Sequence, residues 1–293
     1  MRLGALEAGG TKMVCAVGDE FGNLEARESY PTLTPEETMP QLIEFFRKAD
    51  VEALGIGSFG PLSLDPAAPD YGAITTTPKL AWANYPLRQA FVDALDIPVG
   101  IDTDVNAAAL GEATYGAGKG LDSLVYYTIG TGVGGGALVD GRLVHGMLHP
   151  EMGHMLLRPV KEDPTPKGFC PYHDGCLEGM ANGPAIEKRW GKSAKLLPVD
   201  HVAWDVEAEY LAQMCVNTIV MLSPKKIVLG GGVMHQTQLF PKVRQRTLEL
   251  LNGYVAHDNI LKHMDDYIVP PGLGDNAGAV GSLLLAKIAL ETA

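Results

Sequence analysis

Leu6-Glu7-Ala8-Gly9-Gly10-Thr11-Lys12 and Thr128-Ile129-Gly130-Thr131-Gly132-Val133-Gly134-Gly135-Gly136 are two glycine-rich loops, each following an apolar, strand-like run. Glycines let backbone amides reach phosphate oxygens with no side chain in between. Thr11 adds a hydroxyl donor and Lys12 a positive charge. A single Gly-Gly-Thr-Lys is more often a tight hairpin. The second loop holds far more Gly and Thr than a hairpin needs, and its spacing fits neither a Walker A loop nor a Rossmann fingerprint. Two such loops on opposite halves of the chain predict a cleft that grips a nucleoside triphosphate from both sides, with Gly9, Gly10, Thr11, Lys12, Thr131 and Gly132 at its phosphates.

Outward from these loops, the pattern repeats at half-chain scale. Residues 2–8, 12–18 and 23–30 read as strands. An amphipathic helix follows over Thr34–Lys48, opened by Thr34-Pro35-Glu36-Glu37 as cap, first-turn proline and acidic turn. Val51–Gly57 reads as a strand, Pro86–Leu95 as a helix, Pro98–Ile101 as a strand and Val105–Tyr115 as a helix. The second cycle has strands at Ser123–Ile129, Gly135–Val139 and Arg142–His145, with Asp140-Gly141 as a hairpin signal. A helix over roughly 206–222, a buried strand Lys226–Leu229, and helices near 239–252 and 275–291 complete it. The expected division is an N-terminal α/β domain, 1–115, joined by a C-terminal helix at 275–293, and a second α/β domain, 116–274.

With 293 residues, 46% of them hydrophobic and 20% charged, the chain is of ordinary globular composition. A formal charge of −12 argues against a nucleic-acid partner. A few amides, one lysine and Mg²⁺ can still neutralise a triphosphate locally. The first strand begins almost at Met1, so neither a secretory signal nor a helix-turn-helix segment is expected. No stretch is long enough to span a bilayer. Cys15, Cys170, Cys176 and Cys215 do not form a secreted disulfide framework, and a cytoplasmic location is expected.

Three further constellations carry chemistry. Asp102-Thr103-Asp104-Val105-Asn106 follows a strand and opens a helix. Asp102 or Thr103 suits the cap, and Asp104 suits a base that accepts the proton of an attacking hydroxyl. The second constellation joins His149-Pro150-Glu151-Met152-Gly153-His154 to the Cys170-Pro171-Tyr172-His173-Asp174-Gly175-Cys176-Leu177-Glu178 run. Cys170, His173 and Cys176, with His154 as fourth, make a tetrahedral zinc set with no open position, hence structural. Such a site would fix its loop and position Glu151 and Glu178, two carboxylates suited to sugar hydroxyls. The third comprises Asn182-Gly183-Pro184-Ala185, a helix start or an adenine-side wall, and Gly230-Gly231-Gly232, which permits close approach of a ligand at a strand end. Tyr126, Tyr127, Trp190 and Trp204 read as core or interface residues.

Taken together, these motifs resemble the ROK (repressor, open reading frame, kinase) family of sugar kinases over nearly the whole chain. Ser58-Phe59-Gly60-Pro61, Thr77-Pro78-Lys79 with Trp82, and Cys170-Pro171-Tyr172-His173 look most like its bacterial fructokinase branch. The resemblance implies an α/β, actin-like ATPase (ribonuclease H-like) fold with two domains around a cleft. It implies Asp104 as catalytic base and Glu151, His154 and Glu178 at the sugar, with His154 also on zinc. Thr11, Lys12 and Thr131 would serve the phosphates, and Pro184 and Gly231 would lie near the nucleotide. The family usually forms dimers or tetramers, and a homodimer is expected. Glu7 stands where many relatives have Asp, and Thr103 where glucokinase-like relatives have Asn. The expected reaction is ATP- and Mg²⁺-dependent phosphorylation of fructose at its 6-hydroxyl, with domain closure expelling water. Mannose, glucose or an N-acetylated amino sugar is the alternative substrate, and a sugar-responsive regulator the alternative class.

Overall fold

Strand β1 (Leu3–Ala8) starts a meander in which β2 (Lys12–Gly18) pairs antiparallel with both β1 and β3 (Leu24–Pro31). The computed structural model describes residues 1–293. Helix α1 (Pro35–Ala49) carries the chain to β4 (Ala53–Ser58), which pairs parallel with β1. Helix α2 (Leu87–Leu95) leads to β5 (Val99–Thr103), parallel to β4, and α3 (Asp104–Thr114) follows at once. The sheet order is β3-β2-β1-β4-β5.

The second half repeats this order. β6 (Leu124–Ile129) pairs antiparallel with β7 (Val133–Val139), and β8 (Arg142–Leu143) lies at the edge. Helices α4 (Leu177–Ala181), α5 (Gly183–Trp190) and α6 (Ala203–Leu222) precede β9 (Ile227–Gly230), which is parallel to β6. Helix α7 (Leu239–Leu251), the short α8 (Asp258–Leu261) and α9 (Met264–Tyr267), and β10 (Ile268–Val269) complete the order β10-β9-β6-β7-β8. Helix α10 (Ala277–Thr292) ends the chain.

The chain separates into two compact units: Met1–Gly120 with Leu143–Pro150 and Asp275–Ala293, and Leu121–Arg142 with Glu151–Gly274. Strand β8 is shorter than the Arg142–His145 run read from sequence. Its last two residues turn away because His145 bonds to Asp102 of the first unit.

In the first unit, alternate strand residues face opposite ways. Leu6, Ala8, Met13, Cys15 and Ile56 join Leu42 and Phe46 of α1 and Phe91 of α2 in one core. Leu3, Ala5, Ala16 and Ala53 meet Ala279, Leu283 and Ala286 of α10 on the other face. Small residues bring α10 close. A Cβ on Gly55 would lie 1.8 Å from the Ser282 carbonyl oxygen, and one on Gly281 would lie 1.6 Å from that of Ala107. In the second unit the fully buried Tyr127, Trp204 and Tyr210 are core side chains.

Candidate active site

Parallel pairing aligns the chemistry of the first unit. Glu7 of β1 sits opposite Gly57 of β4, which sits opposite Asp102 of β5. The first glycine loop and Asp104 therefore leave the sheet at the same edge, at the carboxyl ends of the parallel strands, where open α/β sheets bind ligands.

The β1–β2 turn is tight. The Gly9 amide donates to the Lys12 carbonyl at 3.1 Å, and Thr32 Oγ1 donates to the Gly9 carbonyl at 2.7 Å. A Cβ on Gly9 would lie 2.6 Å from the Lys12 carbonyl oxygen, so the turn excludes any other residue there. Thr11 and Lys12 are exposed. Behind them Glu7 has a buried Oε2 with no hydrogen-bond partner. Burial raises its carboxyl above the usual range, while Arg27 and Lys12 pull it back.

Helix α3 starts at Asp104, the last residue before it being Thr103, whose hydroxyl accepts the Asn106 amide at 3.1 Å. Thr103 is thus the cap. Asp102 is buried and works differently: its Oδ1 accepts the Thr103 amide at 2.7 Å and Asn106 Nδ2 at 2.8 Å. Asp104 is half-buried, and its Oδ1 accepts the Val105 amide at 2.9 Å.

In the second unit, Thr128 of β6 lies opposite Gly230 of β9, which brings the second glycine loop and Gly231 to one edge. Gly231 has φ +88°, and a Cβ there would meet the Ile129 backbone at 2.5 Å. The Gly183 amide donates to the Gly130 carbonyl at 2.8 Å, and Asn182 caps α5 by accepting the Ala185 amide at 2.7 Å. Thr131, Gly132, Pro184 and Gly231 are therefore presented by three connected turns. Thr131 and Pro184 are exposed.

Glu178 sits in the first turn of α4, and its Oε2 accepts the Val133 amide at 3.0 Å. The space a Gly132 side chain would fill is taken by that oxygen, 2.7 Å from the position of a Cβ. Glu151 keeps access to solvent, yet its carboxyl is raised by desolvation first and by the negative charge of Glu178 second. The His154 amide donates to the Glu151 carbonyl at 3.0 Å within a single turn.

His154, Cys170, His173 and Cys176 converge, their ligand atoms all within 4.8 Å of one another. Cys170 Sγ lies 3.6 Å from His173 Nδ1 and 4.0 Å from His154 Nδ1, and Cys176 Sγ lies 3.7 Å from His154 Nδ1. Residues 155–157 run beside 175–177, with Leu177 N donating to Met155 O and Leu157 N to Gly175 O, which brings Cys176 to His154. Burial pushes the Cys176 thiol up to about 11, so a cation is needed to hold it as thiolate. Cys15 and Cys215 are free and buried, outside this cluster.

Two arrangements have little or no signal in the sequence. Asp163 accepts Arg189 Nε at 2.8 Å, the Thr165 amide at 2.7 Å and the Tyr210 hydroxyl at 2.7 Å, which fastens the loop ahead of Cys170 to α5 and α6. Beside this pair Glu207 is fully buried with both oxygens unpartnered, and burial holds its carboxyl well above the usual range. The second is the His145–Asp102 pair, for which two histidines four residues apart are the only hint.

A sequence model of the ROK family matches residues 3–289. A protein named putative fructokinase from Bacillus subtilis is 50% identical over 289 residues, covering 99% of this chain and 96% of that one. A fructokinase from Pediococcus pentosaceus is 48% identical, with all of both chains covered. The crystal structure of a ROK family glucokinase from Streptomyces griseus, in complex with glucose and AMPPNP, superposes with a TM-score of 0.76 at 25% identity, covering 98% of this chain and 100% of that one. The two five-stranded sheets with their helices are those of the actin-like ATPase fold. With two glycine turns, an aspartate opening α3 and a family match along almost its full length, this chain belongs to the ROK family.

Proposed function

We infer that this protein is an ATP:hexose phosphotransferase that converts D-fructose to D-fructose 6-phosphate. The observation that carries the kinase reading is the alignment of Glu7, Gly57 and Asp102 across one sheet, which sets the first glycine loop and Asp104 at a common edge. The choice of fructose rests on relatives that bear the name fructokinase at 50% and 48% identity over nearly the full chain.

In this reading Asp104 accepts the proton of the fructose 6-hydroxyl as O6 attacks the γ-phosphorus. The bond from that phosphorus to the β–γ bridging oxygen breaks, and ADP leaves. Phosphoryl transfer asks little covalent chemistry of a protein. Alignment and charge neutralisation do most of it. Gly9, Gly10, Thr11, Lys12, Thr131 and Gly132 serve the phosphates. Pro184 and Gly231 border the nucleotide. Glu151, His154 and Glu178 bind sugar hydroxyls. Magnesium, when bound with ATP, supplies charge neutralisation at the phosphate oxygens. The buried, unpartnered Glu7 Oε2 is a carboxylate oxygen suited to hold one of its waters. Zinc fits the two thiols and two imidazoles of the second unit. Since all four positions are filled by protein, it acts there as a structural ion.

The reading extends to a homodimer in the cytoplasm, supported by family resemblance and by four unpaired thiols. No helix is long and apolar enough to cross a membrane.

ATP consumption measured side by side with fructose, mannose, glucose and N-acetylmannosamine tests the substrate. A higher kcat/KM for any of the other three displaces fructose. Asp104→Asn should lose about a thousandfold in kcat while still binding fructose. Near-normal turnover in that variant removes Asp104 as the base.

A further inference from the structure

Residues 143–150, part of the first unit, lead from β8 to Glu151 and carry two histidines that bond within that unit. His145 Nε2 lies 2.8 Å from Asp102 Oδ2, and the imidazole is 41% exposed while the carboxylate side chain is 5% exposed. Four residues on, the buried His149 accepts the Leu62 amide on its Nε2 at 3.0 Å. The two rings fasten the segment at both ends.

Asp102 is the point where this fastening meets the chemistry. Its Oδ1 holds the Thr103 amide and Asn106 Nδ2, and Thr103 Oγ1 holds the Asn106 amide. Every one of these bonds spans or abuts Asp104. The backbone of the first turn of α3 is therefore set by a carboxylate whose second oxygen has His145 as its partner.

We propose that His145 is a positioning residue for phosphoryl transfer: by donating to Asp102 it locks the Asp102–Thr103–Asn106 bonds, and through them the orientation of Asp104. The proposal rests on Asp104 being the base. The charged and titratable groups facing His145 are Asp102 from β5 and His149 from its own segment, and α3 adds the Asn106 amide group 3.5 Å from Nε2. Asp102 raises the His145 pKa above the ordinary 6.5, chiefly through the hydrogen bond. The imidazolium form is thus complete below that value and is lost as pH rises through the folded pKa.

The experiment compares wild type, His145→Ala, His145→Gln and Asp104→Asn, each checked for native thermal unfolding and for fructose binding by calorimetry. His145→Ala should lose about tenfold in kcat with the KM for fructose changed less than about twofold, as expected when a base is misaligned and substrate binding is spared. His145→Gln keeps a donor toward Asp102 and should restore most of the kcat that His145→Ala loses. Full kcat in His145→Ala, a KM for fructose that rises in step with its loss of kcat, or a His145→Gln no better than His145→Ala overturns the positioning role. If Asp104→Asn turns over normally, the base reading fails instead. If that variant is inactive and the His145 variants match wild type, only the positioning proposal falls. If His145→Ala does not fold, His145→Gln decides against wild type: a kcat within about threefold is expected, and a loss of about tenfold or more overturns the role.

Discussion

Glu178 Oε2 accepts the backbone N–H of Val133 at 3.0 Å, which ties a carboxylate of α4 to the first residue of β7, within the second glycine-rich stretch. One oxygen is thereby committed to the scaffold, and the backbone fixes the orientation of the group.

Removing that carboxylate should weaken sugar binding more than turnover. A hydrogen bond to a charged group is worth about 1.5–3 kcal/mol, so Glu178→Ala should raise the KM for fructose about tenfold or more. Glu178→Gln keeps an acceptor for the Val133 amide and should lose less stability than the alanine variant. Steady-state kinetics over a fructose series, with thermal unfolding in parallel, checks both. An unchanged KM in Glu178→Ala removes this residue from the sugar.

The Cys/His cluster should carry about one zinc per chain in the purified protein. Cys176→Ala should lose it, with thermal unfolding lowered by about 5 °C. Since burial pushes the Cys176 thiol up to about 11, binding must displace protons, and affinity for zinc should fall as pH falls. Elemental analysis and competition with a chromogenic chelator at several pH values measure this. Protein purified without chelators that holds no zinc refutes the ligand set.

The two histidines of residues 143–150 should act on stability with opposite signs. Burial lowers the His149 pKa below 6.5, so its contribution is present above 6.5 and lost as pH falls through that window. The His145 contribution is present below 6.5 and lost as pH rises through its raised folded value. Urea midpoints from pH 5 to 9 for wild type and His149→Gln should differ most in slope on the acid side. Parallel curves there would show that His149 does not titrate with unfolding.

The tight seat of α10 gives a purely structural prediction. A Cβ on Gly55 would stand 1.8 Å from the Ser282 carbonyl oxygen, a backbone atom that cannot swing aside. Gly55→Ala should therefore cost about 3 kcal/mol in unfolding free energy, measured by denaturant titration. A loss under about 0.5 kcal/mol would mean the helix shifts freely.

Much of the fold was legible because its signals are local. Thr34-Pro35-Glu36-Glu37 announces α1, where Thr34 and Glu37 form a capping box, and glycine turns at 9–11 and 130–132 join β1 to β2 and β6 to β7, although Gly134, Gly135 and Gly136 pair within β7 rather than lying in the turn. The repeat of the strand pattern reappears as two sheets of matching order. The convergence of His154 with Cys170, His173 and Cys176 could be anticipated because thiols and imidazoles are scarce and closely spaced here. What stayed hidden depends on pairings distant in sequence. Asp102 reads equally well as a cap, and nothing in its neighbours points to His145, 43 residues away. The Arg189–Asp163 pair is likewise invisible, because an arginine in an amphipathic helix is ordinarily a surface residue. Arg142–His145 reads as one strand until the pull of Asp102 on its last residue is seen.

Helix α10 is contributed by the last residues of the chain, yet it covers a face of the sheet built from the first. During synthesis that face stays bare until residues 277–292 have emerged, whereas Leu121–Arg142 and Glu151–Gly274 are already made. The nascent polypeptide should thus mature from its middle outward, and a ribosome that stops before codon 277 releases a product with an open apolar sheet, a natural target for chaperones and proteases.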